Sequence, residues 1–320
     1  MNRFLSKYIF YYPVTLLRGE RVARHLRRYE AFQWKPTLDI EAHQTASLQR
    51  IASYAYENSA LYRRRFDAAA IAPSDIRNLA DLARLPFLTK LDLTEHFAEL
   101  TTPRARFASR KTTGGSTGQA VTVLKNADAL ARERAATWRA YRWAGVGIGD
   151  AQARFWGVPL RAKNRWIYKA VDFVSNRRRL SAFDINEHEL ERHYRMLHRF
   201  RPTYLYGYVS IILEFAEFLH ARGYSLPATV RSIITTSEVL SPTIRQRIEQ
   251  TCRVPIFNEY GCGEVGSIAH ECEQHRLHIM ADNLIVEIVD ARGAACPSTA
   301  HATGRAVGSP ELRQPPGDDR

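Results

Sequence analysis

The sequence predicts an α/β fold, with a helical N-terminal region followed by a mainly parallel sheet and flanking helices. Three observations carry that expectation. From about residue 120 onward, short β-branched or aromatic runs alternate with helical stretches of roughly ten to eighteen residues, the rhythm of strands joined by crossover helices. Most of those helical stretches carry start or stop signals. Finally, the predicted strand tips "YGY" (206–208), "TTSE" (235–238) and "EYGCGE" (259–264) are rich in glycine, hydroxyls and charge. Such tips make poor core material, and open parallel sheets gather ligands at their carboxyl ends.

Taken in order, residues 1–85 read as helical. "TLDIEAHQTASLQRIASYAYENSALYRRRF" spaces Leu48, Ile51, Ala52, Tyr54 and Ala55 along one helical face. "AVTVLK" predicts a strand, and "ADALARERAATWRAYRWAG" a helix closed by Gly145. "AQARFWGVP" predicts a second strand. In "INEHELERHYRMLHRFRP", Asn186 is the expected N-cap with Glu189 at capping-box spacing, and Leu190, Tyr194, Leu197 and Phe200 form one stripe. "TYLYGY" is a strand before the helix "VSIILEFAEFLHARG", which Gly223 ends. "RSIITTSE" precedes a helix capped by Ser241 with Pro242 at its first position. "VPIFNEYG" is a fifth strand, and "LHIMADNLIVEIVD" predicts a hairpin turning near Asp282-Asn283. The expected organisation is a helical region 1–85, an α/β core 86–305 and a disordered tail 306–320.

At 45% hydrophobic and 11% aromatic residues, the chain has the makings of a packed core rather than of a disordered protein. A formal charge of +13 favours anionic partners such as nucleotides, coenzymes, nucleic acid or an acidic membrane. Nucleic-acid binding finds no motif in support. The four cysteines, Cys252, Cys262, Cys272 and Cys296, do not form a dense framework, which points to a reducing, cytoplasmic setting. No stretch is apolar enough over ~18 residues to span a bilayer. The apolar patch Tyr8–Leu17 runs into Arg-Gly-Glu-Arg instead of a cleavage site, so residues 1–30 are expected to be an ordered or membrane-grazing helical arm rather than a leader.

The densest chemical signal is "TTGGSTG" at 112–118, directly after Arg110-Lys111. Small residues let backbone N–H groups approach a polyphosphate, and hydroxyls add donors; a plain surface turn has the same composition. Gln119 stands where an NTPase P-loop requires lysine. A second cluster, Cys252, His270, Cys272, His275 and His278, mixes thiolate and imidazole. Its spacing is not that of a standard zinc finger, and structural zinc is not expected.

The loop resembles the phosphate loop of the adenylate-forming enzymes, the acyl-CoA synthetase and ligase superfamily. "NEYGCGEVG" (258–266) is similar to that superfamily's Tyr-Gly-x-x-Glu motif, and "TTSEVLSP" (235–242) to its adenine-lining segment. "QWKPTLDIEAHQ", "YAYENSALYRRRF", "DIRNLADLARLPFLTK" and "AHECEQHRLHI" look like phenylacetate–CoA ligase relatives, including those of capsular polysaccharide biosynthesis. The resemblance implies the large N-terminal domain of that superfamily. It also implies activation of a small carboxylate by ATP to an acyl-adenylate and pyrophosphate, then transfer to CoA or another acceptor. On matching positions it implies that Thr113, Gly114, Gly115, Ser116, Thr117 and Gly118 cradle the phosphates and that Glu264 with Thr117 serves Mg²⁺ at the reacting centre. It implies further that Tyr260 and Gly261 meet the adenine face, Ser237 and Glu238 its edge, and Tyr206, Gly207 and Tyr208 the acyl group. After "ATGR" (302–305) the tail "AVGSPELRQPPGDDR" departs from the family's pattern of a strand and a lid domain. The expectation is a truncated or frame-shifted frame with slow or absent turnover. A non-catalytic nucleotide-fold partner and a basic nucleic-acid- or membrane-binding protein stand as the other readings.

Overall fold

The computed structural model describes residues 1–112, 120–157, 165–183, 185–290 and 305–306. Its first elements are a π-helical stretch Leu5–Tyr11 and the helices α1 (Tyr12–Leu17), α2 (Val22–Phe32), α3 (Thr37–Asn58) and α4 (Ala60–Ala68). Short helices α5 (Lys90–Glu95) and α6 (Phe97–Leu100) lead to an antiparallel pair, β1 (Ser109–Thr112) and β2 (Thr122–Lys125). Then come α7 (Ala127–Tyr141), β3 (Gln152–Trp156), α8 (Arg165–Val174), β4 (Arg177–Ser181) and α9 (Glu187–Phe200). They are followed by β5 (Tyr204–Tyr208), α10 (Val209–Arg222), β6 (Ser232–Thr236), α11 (Pro242–Cys252) and β7 (Ile256–Cys262). The last strands are β8 (Gly266–Glu271), β9 (Leu277–Ile279), β10 (Ile288–Val289) and β11 (Arg305–Ala306).

Two compact units result: Met1–Ala31 with Ala127–Met280, and Phe32–Asn126 with the chain from Ala281 onward. The first unit holds a seven-stranded sheet ordered β4-β3-β5-β6-β7-β8-β9. The five strands from β4 to β7 run parallel, and β8 and β9 add antiparallel to that edge. Strand residues alternate between faces, so one face shows Ala153, Phe155, Leu205, Ile233 and Ile256. Leu190 and Leu197 of α9, Ile212, Phe215 and Leu219 of α10 and Ile248 of α11 pack against it. The other face shows Tyr204, Tyr206, Ile234 and Phe257, packed with Tyr141 of α7 and Ala144.

The caps fall where the sequence places them. Asn186 accepts from the Glu189 amide at 3.0 Å and Ser241 from the Ile244 amide at 3.3 Å. Gly223 closes α10 with φ +64°, and Gly145 takes φ +72° after α7. These left-handed conformations cost a glycine nothing.

The second unit packs α3 and α4 through Leu48, Ala52, Phe66, Ile71 and Ile76. Leu48 and Ala52 lie on the buried stripe as expected, whereas Ile51 of the same predicted face is exposed. The stripe here is narrow, one i, i+4 row, and Ile51 falls to its solvent side. Below it, Asp92 caps α5 through Thr89 and pairs with Arg65 at 2.6 Å.

One topological expectation fails. "LHIMADNLIVEIVD" is not a hairpin: β9 pairs with β8, and β10 pairs with β11. The reason is β8, which the sequence pattern does not announce. Its run "GSIAHE" follows a tight turn after β7 and supplies β9 with a partner before the chain reaches Asp282. β1 and β4 are further strands that hydrophobic alternation does not reveal, because "SRKT" and "RRRLS" are mostly charged or hydroxylated.

Candidate functional site

The carboxyl ends of β3, β5, β6 and β7 share one edge, and on the α7-facing side their residues form an aromatic and polar surface. β3 pairs Arg154 with Tyr206 of β5, so Arg154 and Trp156 stand beside Tyr206 and Tyr208. Trp156 stacks on Tyr208 with ring centroids 4.6 Å apart and on Tyr206 at 5.9 Å. The Arg154 guanidinium sits 4.3 Å from the Trp156 ring and 4.7 Å from that of Tyr206. Among the described residues it has no carboxylate partner, and its Nε is buried without a hydrogen bond. A half-buried guanidinium held by two aromatic faces is preorganised for a planar anion. Burial pushes the phenols of Tyr206 and Tyr208 up from their ordinary range, with the Glu259 carboxylate adding to the effect on Tyr206. Both remain neutral donors.

Gly207 lies between those two tyrosines but on the opposite face. A Cβ there would approach Phe155 Cβ to 2.9 Å, so its bareness serves strand packing.

On β7, Glu259 is a buried carboxylate satisfied by hydroxyls. Tyr141 Oη donates to Oε2 at 3.0 Å and Ser267 Oγ to Oε1 at 2.9 Å, with Thr137 Oγ1 2.9 Å behind Ser267. His270 lies 3.8 Å away, and burial holds its imidazole below the usual range, so it stays neutral. This network fixes the strand immediately before Tyr260. There the pairing with β8 shifts in a bulge at Tyr260/Gly261. A Cβ on Gly261 would fall 2.5 Å from the Gly266 carbonyl oxygen, so only glycine lets the two strands close this tightly. The bulge leaves Tyr260 exposed at the strand tip. Glu264 follows in the turn 263–265, half-buried. Burial raises the Cys262 thiol, and the neighbouring Glu264 carboxylate acts in the same direction.

At the tip of β6, Ser237 is held at φ +70°, which costs a non-glycine residue on the order of 1 kcal/mol. Glu238 beyond it accepts from the Ser210 amide at 2.6 Å and the Ser210 hydroxyl at 2.9 Å, capping α10.

No family model matches the chain. Phenylacetate-coenzyme A ligase of Thermus thermophilus is 27% identical over 269 residues, which cover 80% of this chain and 58% of that protein. Protein CapK of Staphylococcus aureus is 24% identical over 260 residues, covering 80% and 57%. An open conformation of 2-hydroxyisobutyryl-CoA ligase, solved with 2-HIB-AMP and CoA, superposes with a TM-score of 0.66 at 20% identity, covering 81% of this chain and 58% of that one. The chain is thus similar in sequence to phenylacetate–CoA ligases and to CapK, and in fold to a CoA ligase. It spans a little over half the length of the curated relatives it matches.

The structure brings Tyr206, Tyr208, Ser237, Glu238, Tyr260, Gly261 and Glu264 to one strand edge. The phosphate-loop residues Thr113, Gly114, Gly115, Ser116, Thr117 and Gly118 lie outside the described residues, as do Cys296 and the tail from 307 onward. The loop's flanks are described: Thr112 and Thr122 pair across the β1–β2 ladder, their hydroxyls 3.3 Å apart.

The thiolate–imidazole cluster does not assemble. Cys252 is buried in α11 on the helix-covered face, its thiol pushed up to about 12 by burial. His270 faces Tyr141 on the other side of the sheet, His278 packs on Trp143 at 5.3 Å, and His275 bonds Arg245 at 2.9 Å. Cys272 sits in the β8–β9 connection, and no group of three or more candidate ligands converges among the described residues. Nearness in sequence misleads here, because β8 and α11 present these residues to opposite faces.

Two further residues escaped the sequence reading. Arg154 and Glu259 each stand as a charge within a strand, and alternation puts both on the face away from α9–α11. A charge at such a position is a readable signal.

Proposed function

We propose that this chain supplies the nucleotide- and carboxylate-binding part of an adenylate-forming ligase. A carboxylate oxygen attacks the α-phosphorus of ATP, the bond to the β-phosphate oxygen breaks, and acyl-AMP and pyrophosphate result. A CoA thiol or another acceptor then displaces AMP. The single observation that carries this reading is the convergence of Tyr260, Glu264, Ser237 and the Trp156–Tyr208 wall at one carboxyl edge of a parallel sheet.

Each residue has a part that follows from its setting. Tyr260 offers an exposed ring for a purine to stack on. Main chain at 237–238 offers polar groups to the base edge. Trp156, Tyr206 and Tyr208 would line the acyl side, with Arg154 holding the substrate carboxylate in line with the phosphorus. The loop 113–118 would supply donors to the β- and γ-phosphates.

Glu264 fits a cation: it is a half-buried hard-oxygen ligand with no Lys or Arg partner among the described residues. Mg²⁺ held by Glu264 and the Thr117 hydroxyl would neutralise phosphate charge. The names of the relatives favour a small or aromatic acid as substrate and a thiol acceptor. Cytoplasm, where ATP and CoA abound, suits Cys252, Cys262 and Cys272, which form no disulfide among the described residues.

The test is calorimetric titration with ATP and Mg²⁺ beside a pyrophosphate-release assay over a panel of carboxylic acids. Wild type should bind ATP, and Glu264→Gln should weaken that binding chiefly when Mg²⁺ is present. Tyr260→Ala should weaken it with or without the metal. ATP binding indifferent to both changes would overturn the assignment.

A further inference from the structure

Between Leu5 and Leu17 the chain turns its apolar side outward. A surface helix normally buries its apolar stripe. Here the buried residues are Ser6, Tyr11 and Thr15, while Phe4 (62% exposed), Ile9 (55%) and Leu17 (87%) face solvent. Helical spacing sets the exposed side chains in rows. Phe4, Tyr8 and Tyr12 form a ladder of rings with centroids 4.7 and 5.9 Å apart. Leu5, Ile9, Pro13 and Leu17 follow one another at four-residue steps, all exposed. α8 extends the surface: Phe173 meets Phe10 edge-on at 5.6 Å and is itself exposed, and Trp166 is 78% exposed.

The arrangement is anchored. Arg3 pairs with Asp150 at 3.1 Å, and Gly149, at φ +92°, lies so close that a Cβ would come within 2.4 Å of the Arg3 carbonyl oxygen. Ser6 Oγ donates to the Val174 carbonyl at 3.2 Å, and Trp138 Nε1 donates to the Tyr11 hydroxyl at 2.7 Å. The polar side of the segment thus holds it to the first unit, and the apolar side is what remains outside.

Charge says what covers that face. Residues 1–28 contain seven Lys or Arg and a single acidic residue, Glu20. Lys7 Nζ lies 4.8 Å from the Tyr8 ring and Lys169 Nζ 5.3 Å from the Trp166 ring. Aliphatic and aromatic side chains projecting outward, rimmed by cations on flexible stems, match the layering of a lipid headgroup region. No described helix is long and apolar enough to cross a membrane.

We propose that the Leu5–Leu17 segment and α8 form a docking surface for an anionic lipid bilayer. The apolar rows enter the boundary between headgroups and acyl chains, and Lys7 and Lys169 meet lipid phosphates. This stands independently of the ligase reading, since none of these residues belongs to the strand-edge site.

The test is sedimentation of the 320-residue chain with vesicles of phosphatidylcholine alone or with roughly 30% phosphatidylglycerol. The expected result is a bound fraction on the order of tenfold higher on the anionic vesicles, falling as salt rises. Ile9→Glu with Leu17→Glu should reduce it by about tenfold at unchanged far-UV circular dichroism. In parallel, brominated lipid should quench fluorescence in wild type and lose most of that quenching in Trp166→Phe. Absence of binding to anionic vesicles, or binding that survives both glutamates, overturns the proposal. So does self-association abolished by the same glutamates without vesicle binding, which would make the face a contact between two copies. Should the double variant fail to fold, absence of Trp166 quenching in wild type decides against it.

Discussion

The two faces of the seven-stranded sheet are made from the same strands and do different work. Under α9, α10 and α11 the strands offer Ala153, Phe155, Leu205, Ile233 and Ile256, an almost wholly apolar set. The other face of the same strands offers Arg154, Tyr206, Thr236 and Glu259 beside Ile234 and Phe257, its polar groups held by ring contacts and hydroxyl bonds. Burying polar groups costs stability unless each finds partners, so the second face is where a chain places groups it needs for another reason. A one-residue step along a strand separates what folds the first unit from what the site uses.

The apolar face should show the largest loss on substitution. Phe155→Ala, at a fully buried position, should lower unfolding free energy by about 3–5 kcal/mol, read from the denaturant midpoint. Trp156→Ala, its neighbour on the other face and half-buried, should cost clearly less. Equal losses would erase the distinction.

The next effect comes from His193, which packs on Phe155 at 5.6 Å with neither ring nitrogen hydrogen-bonded. Burial pushes its pKa down to about 4. The unfolded chain, with an ordinary value near 6.5, binds the proton first as pH falls. Stability should therefore decline between about pH 6.5 and pH 4, by on the order of 3 kcal/mol in full. Denaturant titrations at several pH values should show that slope in wild type and a flatter one in His193→Leu.

On the polar face, Glu259→Gln leaves Tyr141 and Ser267 as donors but removes one of their two acceptors. Its expected cost is about 1–2 kcal/mol, seen in thermal unfolding. The smallest stability change should be that of Arg154→Ala, within about 1 kcal/mol, since the lost contacts are half-buried ring stacking. Under the proposed function its effect belongs elsewhere: KM for the carboxylate should rise by about tenfold or more while the KM for ATP moves little. A large loss of stability with unchanged KM would return Arg154 to the fold.

Much of the architecture was legible because local signals and burial agree. Asn186, Ser241 and Gly223 act where their chemistry predicts, and the parallel strands other than β4 are short, largely apolar runs between helices. The strand tips were legible for the converse reason, as polar and glycine-rich ends that no core would want. What the sequence hid follows from partner choice. β8 is a weakly apolar run whose identity as a strand depends on β7 and β9 beside it. Gly207 reads as part of a pocket motif, yet its missing Cβ makes room for Phe155 on the opposite face. Cys252 and His270 look like neighbours until a helix and a strand carry them to opposite sides of the sheet. Long-range pairing decides each case, and no local window contains it.

Both oxygens of the Glu238 carboxylate are already engaged with Ser210 at the start of α10. What the adjoining segment still extends to a visiting molecule is therefore chiefly peptide groups and one serine hydroxyl. A recognition surface assembled from main chain is insensitive to drift in the neighbouring side chains, so long as the clasp that shapes it survives. Loosening Ser210, at the start of α10, would then reshape the tip of β6 before it is felt in folding.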